Sequence, residues 1–418
     1  GALCRTDYAR REGEPFSAKA YRVRRVGGVR YTFVKVTSGV LRARDEVRTI
    51  SGVCKVAAIL APQGGKLLPM GEAHAGQTAA LAGLSAKPGE RIGENCGLEM
   101  PETVPLMSVQ VEPIEPLTQS ALLMHLRELE EEDPLLSVRP EADGVSVGVM
   151  GAVQVEVLQG VLEALLGDHE RMLPPHVLYK EPIAEPDVGI GHYEPLRHYA
   201  EVWLKLEPGA PESGITFTAD CPPNSLDENW KRLIRTHVFE REHPGVLTGS
   251  PLTDVQIHLI AGRAHLKHTE GGDFREATCR AIRNALMQAE NVLLEPVVRF
   301  ELAMPSETLA RVTGELLRVG AQLDASETDG GETTLTGVCT AAMFWDYPTK
   351  FAASTRGHGR IASRFYRYEP CKNQAELVQK LGYDALADVQ NPPGSIFCSH
   401  GAGFYVAWDH VRDWAHCE

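Results

Sequence analysis

The chain has 418 residues, 43% of them hydrophobic, and a formal net charge of -14 at pH 7. That length allows three or four domains at roughly 100 to 200 residues each, and no apolar run approaches the roughly 18 to 20 residues of a membrane span. The acidic balance excludes a protein that coats nucleic acid indiscriminately, since phosphate contacts need local Lys and Arg.

The opening GALCRTDYARREGEP carries charge where a signal peptide carries an apolar stretch, so a soluble, cytoplasmic protein without a membrane partner is expected. Nine cysteines stand singly with no CxxC pair, which supports neither a disulfide framework nor a structural zinc site. The charge is uneven. Residues 15–48 hold nine basic residues against Asp45 and Glu46, and residues 350–372 hold six against Glu369. A solvated face is the plain reading of such stretches, and a local nucleic-acid contact is the other.

In chain order, residues 15–98 read as short alternating strands separated by Gly and Pro, the pattern of a small β-barrel. From residue 105 the period changes. A strand PLMSVQVEP precedes a helix over 118–131 with Ala121, Leu122, Leu126 and Leu129 on its apolar face. Strands LLSVRP and GVSVGVM follow, then a helix over 151–166 with Val153, Val157, Val161, Leu162 and Leu165 on one face, and a closing strand near HVLYKEP. That order, β-α-β-β-α-β, is the split-βαβ arrangement.

Residues 184–295 form a separate α/β unit: strands YAEVWLKLEP and ITFTAD, a helix over 225–242, strand DVQIHLIA and a helix over 274–290. Asn224 or Ser225 with Glu228 fits a capping box at the first helix. The β-α-β-β-α-β order then returns, from PVVRFELAMP to GRIASRFYRYEP, with helices over 306–319 and 341–354. The final segment, 374–418, is too short and polar for its own core and is expected to lie against that last module.

No GxxxxGK[ST] is present, so no nucleotide site of the P-loop type exists in this chain; GxSxG, HExxH and Cys-His catalytic signatures are missing too. Three stretches concentrate groups suited to RNA. In AGRAHLKHTEGGDF, His265, Lys267 and His268 can reach phosphate and 2'-hydroxyl groups, and imidazole can stack on an unpaired base. In GIGHYEPLRHY, read as a loop over 189–199, Tyr193, Arg197, His198 and Tyr199 offer planar groups and donors. If their strands are neighbours, both loops leave one end of a sheet. In TRGHGR, Arg356, His358 and Arg360 supply phosphate donors on a glycine-freed backbone. His265 and His268 with Glu270 and Asp273 also admit a metal reading, and a solvated surface loop is the plain alternative for each stretch.

Taken together, PFSAKAYRV, TFVKVTSGVL, the segment from GSPLTDV to FREA, and TRGHGRIASRFYRYEP resemble domains II to V of elongation factor G, over about residues 14–370. HYEPLRHYAEV, AGRAHLKHTEGGDF and the tail beyond Pro370 look more like the tetracycline ribosomal-protection branch. His265 falls where elongation factor G has its domain IV tip histidine after GSY, here GRA. The loop from Tyr193 to Tyr199 replaces that factor's GGRGQYG, and TRGHGR takes the place of its TQGRG. The loop after His265 is about two residues longer.

The resemblance implies a multidomain α+β chain. Residues 1–100 would be the domain II-like β-barrel, 104–182 a ferredoxin-like domain III, 183–295 a domain IV-like unit, 296–372 a ferredoxin-like domain V, and 373–418 a C-terminal extension. It implies a monomeric, ribosome-binding partner of ribosomal RNA and ribosomal proteins of both subunits, using Tyr193, Arg197, His198, Tyr199, His265, Lys267, His268, Arg356, His358 and Arg360 to reach the decoding region and release tetracycline. GTP and Mg would belong to a GTPase domain absent from this sequence, which on its own holds no cofactor or metal and does not hydrolyse GTP. An elongation factor G-like translocase or a rescue factor is the related alternative, and a metal-dependent enzyme at His265 and His268 the unrelated one.

Overall fold

A computed structural model describes residues 8–94, 96–98, 104–141, 143–222 and 226–417. The chain divides into two units, residues 1–176 and 177–418.

In the first unit the predicted alternation builds a seven-stranded sheet, running in order Gly97–Leu98, Glu90–Gly93, Ser17–Val26, Val29–Ser38, Thr78–Ala82, Ala58–Gln63 and Lys66–Pro69. Two ribbons accompany it, Val40–Arg42 with Glu72–His74 and Glu46–Thr49 with Gly52–Lys55. The expected barrel is corrected to an open sheet, because among the described residues its outer strands pair with no common neighbour. The ribbon strands are only three or four residues long. They add Leu41, Val47 and Ala73 to the apolar interior formed by Ala18, Val34, Leu81 and Ile92, covering it by packing rather than by a continuous ladder.

The rest of the unit runs strand Met107–Pro113, helix Gln119–Glu132, strands Arg139–Pro140 and Val145–Val149, helix Ala152–Leu166 and strand Glu170–Met172. The sheet order is Arg139–Pro140, Val145–Val149, Met107–Pro113, Glu170–Met172. Thr118 caps the first helix by accepting from the Ala121 N–H, and Leu122 and Leu126 face inward as the period predicts. The second helix departs from expectation: Leu158 and Leu162 are buried, while Val153, Val157, Val161 and Leu165 are exposed. This helix is apolar on more than one side, so periodicity does not select the inner face, and the bulkier leucines at i and i+4 take it.

The second unit contains a six-stranded sheet in the order Ile215–Ala219, Val255–Ala264, Ala200–Pro208, Asp187–Tyr193, Ser395–Ser399, Ala402–Val406, with helices Glu228–Phe239 and Gly271–Gln288. The predicted capping box at Asn224 or Ser225 lies outside the described residues. Helix Gly271–Gln288 begins earlier than its sequence suggests, because Glu270 and Asp273 form a capping box that recruits two glycines into the first turn. Its Phe274, Ala277, Ala281 and Ala285 pack on the central strands. The approach is close: a Cβ on Gly191 would lie 1.8 Å from the Ala277 carbonyl oxygen, and one on Gly189 1.9 Å from that of Ala281.

A four-stranded sheet in the order Gln322–Asp329, Glu332–Thr340, Leu294–Pro305, Arg360–Pro370 forms with helix Leu309–Arg318 and two short helices, Ala341–Phe344 and Tyr347–Ser354. The single helix expected over 341–354 is thus broken, with Pro348 in the first turn of the second piece.

The C-terminal tail does not lie against this module as expected. Strand Ser395–Ser399 pairs in parallel with Asp187–Tyr193 and extends the six-stranded sheet. Its Phe397 joins Ile190, Val406 and Val411 in a small core, so the tail completes a neighbour's apolar face instead of making one. Among the described residues no helix is long and apolar enough to cross a membrane.

Substituting Gly191→Ala forces helix and strand apart. It is expected to cost at least about 2 to 3 kcal/mol of unfolding free energy, measured by urea denaturation, whereas Ala in place of exposed Gly272 should change it by less than about 1 kcal/mol.

Candidate nucleic-acid interface

The strand register decides where the predicted loops emerge. Tyr193 pairs with Ala200, and Ala200 pairs with Ala264, so the loop over 194–199 and the loop over 265–270 leave the same end of the same sheet. The first loop is shorter than predicted, since Gly189 to Tyr193 lie in the strand and their glycines serve helix packing.

The loops are tied together. The Thr269 hydroxyl donates to the Tyr199 carbonyl oxygen at 2.6 Å and accepts from the His265 N–H at 2.7 Å. His198 Nδ1 lies 2.8 Å from Asp273 Oδ1, and the His265 and His268 rings stack with centroids 4.5 Å apart. Arg197, His265, Lys267 and His268 are exposed, and Leu266 stands fully exposed between them. Arg197 holds a left-handed φ of 67°, a conformation uncommon for a side-chain-bearing residue.

Two predicted residues have other surroundings. Tyr199 is buried: its hydroxyl bonds His416 Nδ1 at 3.1 Å and its ring stacks on that imidazole. Burial, then the nearby Glu201 carboxylate, push its phenol well up, so it supports the loops from beneath rather than lying open to bases. Tyr193 is half-buried, with the Arg280 guanidinium 5.8 Å from its ring centre. Arg356, His358 and Arg360 are exposed but are carried by the four-stranded sheet, at the turn before Arg360–Pro370, where Arg360 pairs with Glu332 at 2.8 Å.

Beneath the loops lies a buried network that the sequence reading missed. Glu201 and His192 are fully buried and face each other across the strand pair, with His192 Nδ1 2.7 Å from Glu201 Oε2. Glu201 also accepts from Trp203 Nε1 at 2.8 Å, from the His416 backbone N–H at 2.8 Å and from the Cys417 backbone N–H at 2.7 Å. Burial alone pushes this carboxyl up, yet the hydrogen bonds from His192, the tail backbone and Trp203 outweigh it and hold it down at about 2. His192 stacks on Phe397, ring centres 4.0 Å apart. The available signal was a histidine and a glutamate in facing positions of two strands, interrupting otherwise apolar runs.

Ligating atoms of His192, Glu201 and His416 lie within 4.8 Å of one another. Both Glu201 oxygens already receive donors, and His192 Nε2 is 3.1 Å from Glu194 Oε2, so the group is satisfied as a hydrogen-bonded clasp. At His265 and His268 the acids needed for a metal are engaged elsewhere: Asp273 holds His198 and accepts from the Glu270 N–H, and Glu270 caps the helix.

Comparison with known proteins bears on the sheet that carries these loops. Residues 175–290 match the family described as elongation factor G, domain IV, and residues 292–377 match the elongation factor G C-terminus. Two elongation factor G-like domains are present. These two regions of the chain are similar to elongation factor G domains, and both finger loops lie inside the first match. A crystal structure from Thermus thermophilus shares the fold, with TM-score 0.55 and 22% identity, over 90% of this chain and 59% of that one. The chain therefore spans 59% of the length of that structure.

Because the Glu201 carboxyl sits at about 2 when folded against an ordinary value of 4.5, its stabilising effect is full above about pH 4.5 and is lost as pH falls toward 2. Glu201→Gln should lower stability at pH 7 by about 3 kcal/mol. The gap to the parent, measured by denaturant unfolding, should shrink as pH drops from 5 to 3; a gap of constant size would show that the charge is not what stabilises the clasp.

Proposed function

We propose that this chain is the ribosome-binding part of a translational GTPase of the tetracycline-protection kind, and that its paired finger loops contact small-subunit ribosomal RNA at the decoding region to release the drug. The observation that carries this reading is the register bringing Arg197, His198, His265, Lys267 and His268 to one end of one sheet. On a chain of net charge -14, a local concentration of donors is what a confined phosphate contact requires. Stacked imidazoles beside exposed Leu266 suit an unpaired base, whose face and edge are both open in single-stranded RNA. The two matched elongation factor G regions support a ribosomal partner.

On the same reading, the first sheet and its ribbons correspond to a translation-factor domain II. The two modules with β-α-β-β-α-β order are ferredoxin-like domains that precede and follow a domain IV-like unit in sequence, with domains at 1–100, 104–182, 183–295, 296–372 and 373–418. GTP and Mg²⁺ chemistry belongs to a separate GTPase domain, since no P-loop occurs in this sequence. The protein acts in the cytoplasm as a monomer. Arg356, His358 and Arg360 offer a second set of phosphate donors on the four-stranded sheet, and Tyr199 holds the fingers from below.

The test uses the protein joined to its GTPase domain. Replacing Arg197, His265 and Lys267 together by Ala should abolish protection of translation from tetracycline and weaken ribosome binding. The salt dependence of that binding should fall by about one unit of slope for each phosphate no longer neutralised. Full protection by this variant would reject the finger-loop assignment. Efficient GTP-driven movement of tRNA and messenger RNA by the parent protein, without drug release, would favour a translocase instead.

A further inference from the structure

Apart from the finger loops, a cavity opens between the segment after helix Glu228–Phe239, one side of helix Gly271–Gln288, and residues 390–392 of the tail. Its volume of about 70 Å³ is several times the roughly 10 to 15 Å³ that a single water needs. Four guanidinium groups line it, those of Arg241, Arg275, Arg280 and Arg283, against a single lining carboxylate, Glu276.

These arginines are held in place by contacts along their edges. Arg275 forms a two-point pair with Glu240 at 2.7 and 3.1 Å, and Arg241 donates to the Asn391 amide oxygen. Arg280 donates to the Gly394 carbonyl oxygen at 2.8 Å and to Glu276 at 3.3 Å. Arg283 donates to the Pro244 and Gly245 carbonyl oxygens at 3.0 and 2.8 Å and to the Tyr383 hydroxyl at 2.7 Å, with Asp388 3.9 Å away. Arg280 and Arg283 are more than nine-tenths buried, and the Nε of each has no hydrogen-bond partner. Four guanidinium groups against one lining carboxylate give the cavity a positive field that a small, multiply charged oxyanion answers, because planar N–H forks match its oxygens.

We propose that this cavity is a binding site for a phosphate group, carried either by the free ion or by a phosphate monoester. Arg241 and Arg275 contact it at the mouth, while Arg280 and Arg283 supply positive charge from the wall. An anion seated there bridges the long helix and the tail, and so stabilises their packing.

Inorganic phosphate titrated into the protein at fixed ionic strength, with chloride as the balancing anion, should bind saturably at one site by calorimetry, raise the thermal midpoint, and be displaced by sulfate. Arg241→Gln and Arg275→Gln alter exposed side chains that the fold tolerates. Each should weaken phosphate binding about tenfold while leaving the midpoint in chloride within a few degrees of the parent. A ribonucleoside 5'-monophosphate that binds at least as tightly as inorganic phosphate identifies a monoester as the ligand; binding of inorganic phosphate alone identifies the free ion. Absence of saturable phosphate binding beyond that of chloride, or phosphate binding unchanged in both variants, overturns the site.

Discussion

A carboxylate removed from water is the constraint on which the second unit is organised. An ionised Glu201 with no partners would be prohibitively costly at full burial, so the site exists only when all its donors are in place. Those donors come from the adjacent strand through His192, from its own strand through Trp203, and from the far end of the chain through the His416 and Cys417 amides. One side chain thereby fixes the strand pair that roots the first finger and ties the tail beneath it. Tyr199, gripped by His416 and bonded through its carbonyl to Thr269, passes that order to the second finger. The exposed histidines and Arg197 are thus mounted on a polar framework whose members depend on one another, and such a framework holds a contact surface in one geometry.

Helix Gly271–Gln288 performs a complementary task with opposite chemistry on its two sides. Alanines and Phe274 meet the sheet, where Gly189 and Gly191 leave room for the helix backbone. On the other side Arg280, Arg283 and Asn284 donate to carbonyl oxygens of the tail at Gly394, Ala385 and Trp408. The tail reaches its place on the sheet through these bonds, and the arginines that make them also charge the cavity alongside. Structural anchoring and anion attraction are two uses of the same five-donor group.

Much of this architecture could be read from the residues. Period-two alternation located most strands, apolar spacing located the long helices, and the clustering of His, Lys and Arg in two polar stretches marked segments that do leave one sheet end together. Several failures depended on a partner remote in sequence, whereas the break at Pro348, the capping box of Glu270 with Asp273 and the all-round apolar helix Ala152–Leu166 are local effects. Nothing near Phe397 says that it will stack on His192, and nothing near Tyr199 says that a histidine over two hundred residues later will cover it. The glycines of GIGHY looked like loop residues because their helix partner lay elsewhere, and helix Ala152–Leu166 has too many apolar positions for spacing to choose among them. Short ribbons in the first unit likewise carry a barrel's alternation without the ladder that would close it.

Pairing between Asp187–Tyr193 and Ser395–Ser399 joins segments 203 residues apart, and it is parallel, so no hairpin can nucleate it. Until residues 395–417 have been made, the edge of strand Asp187–Tyr193 stays bare, and His192 and Glu201 lack the partners that the tail supplies. Native order at the fingers therefore waits on the tail, and a chain cut before Ser395 presents an open strand edge to its neighbours, the kind of template from which association between copies begins.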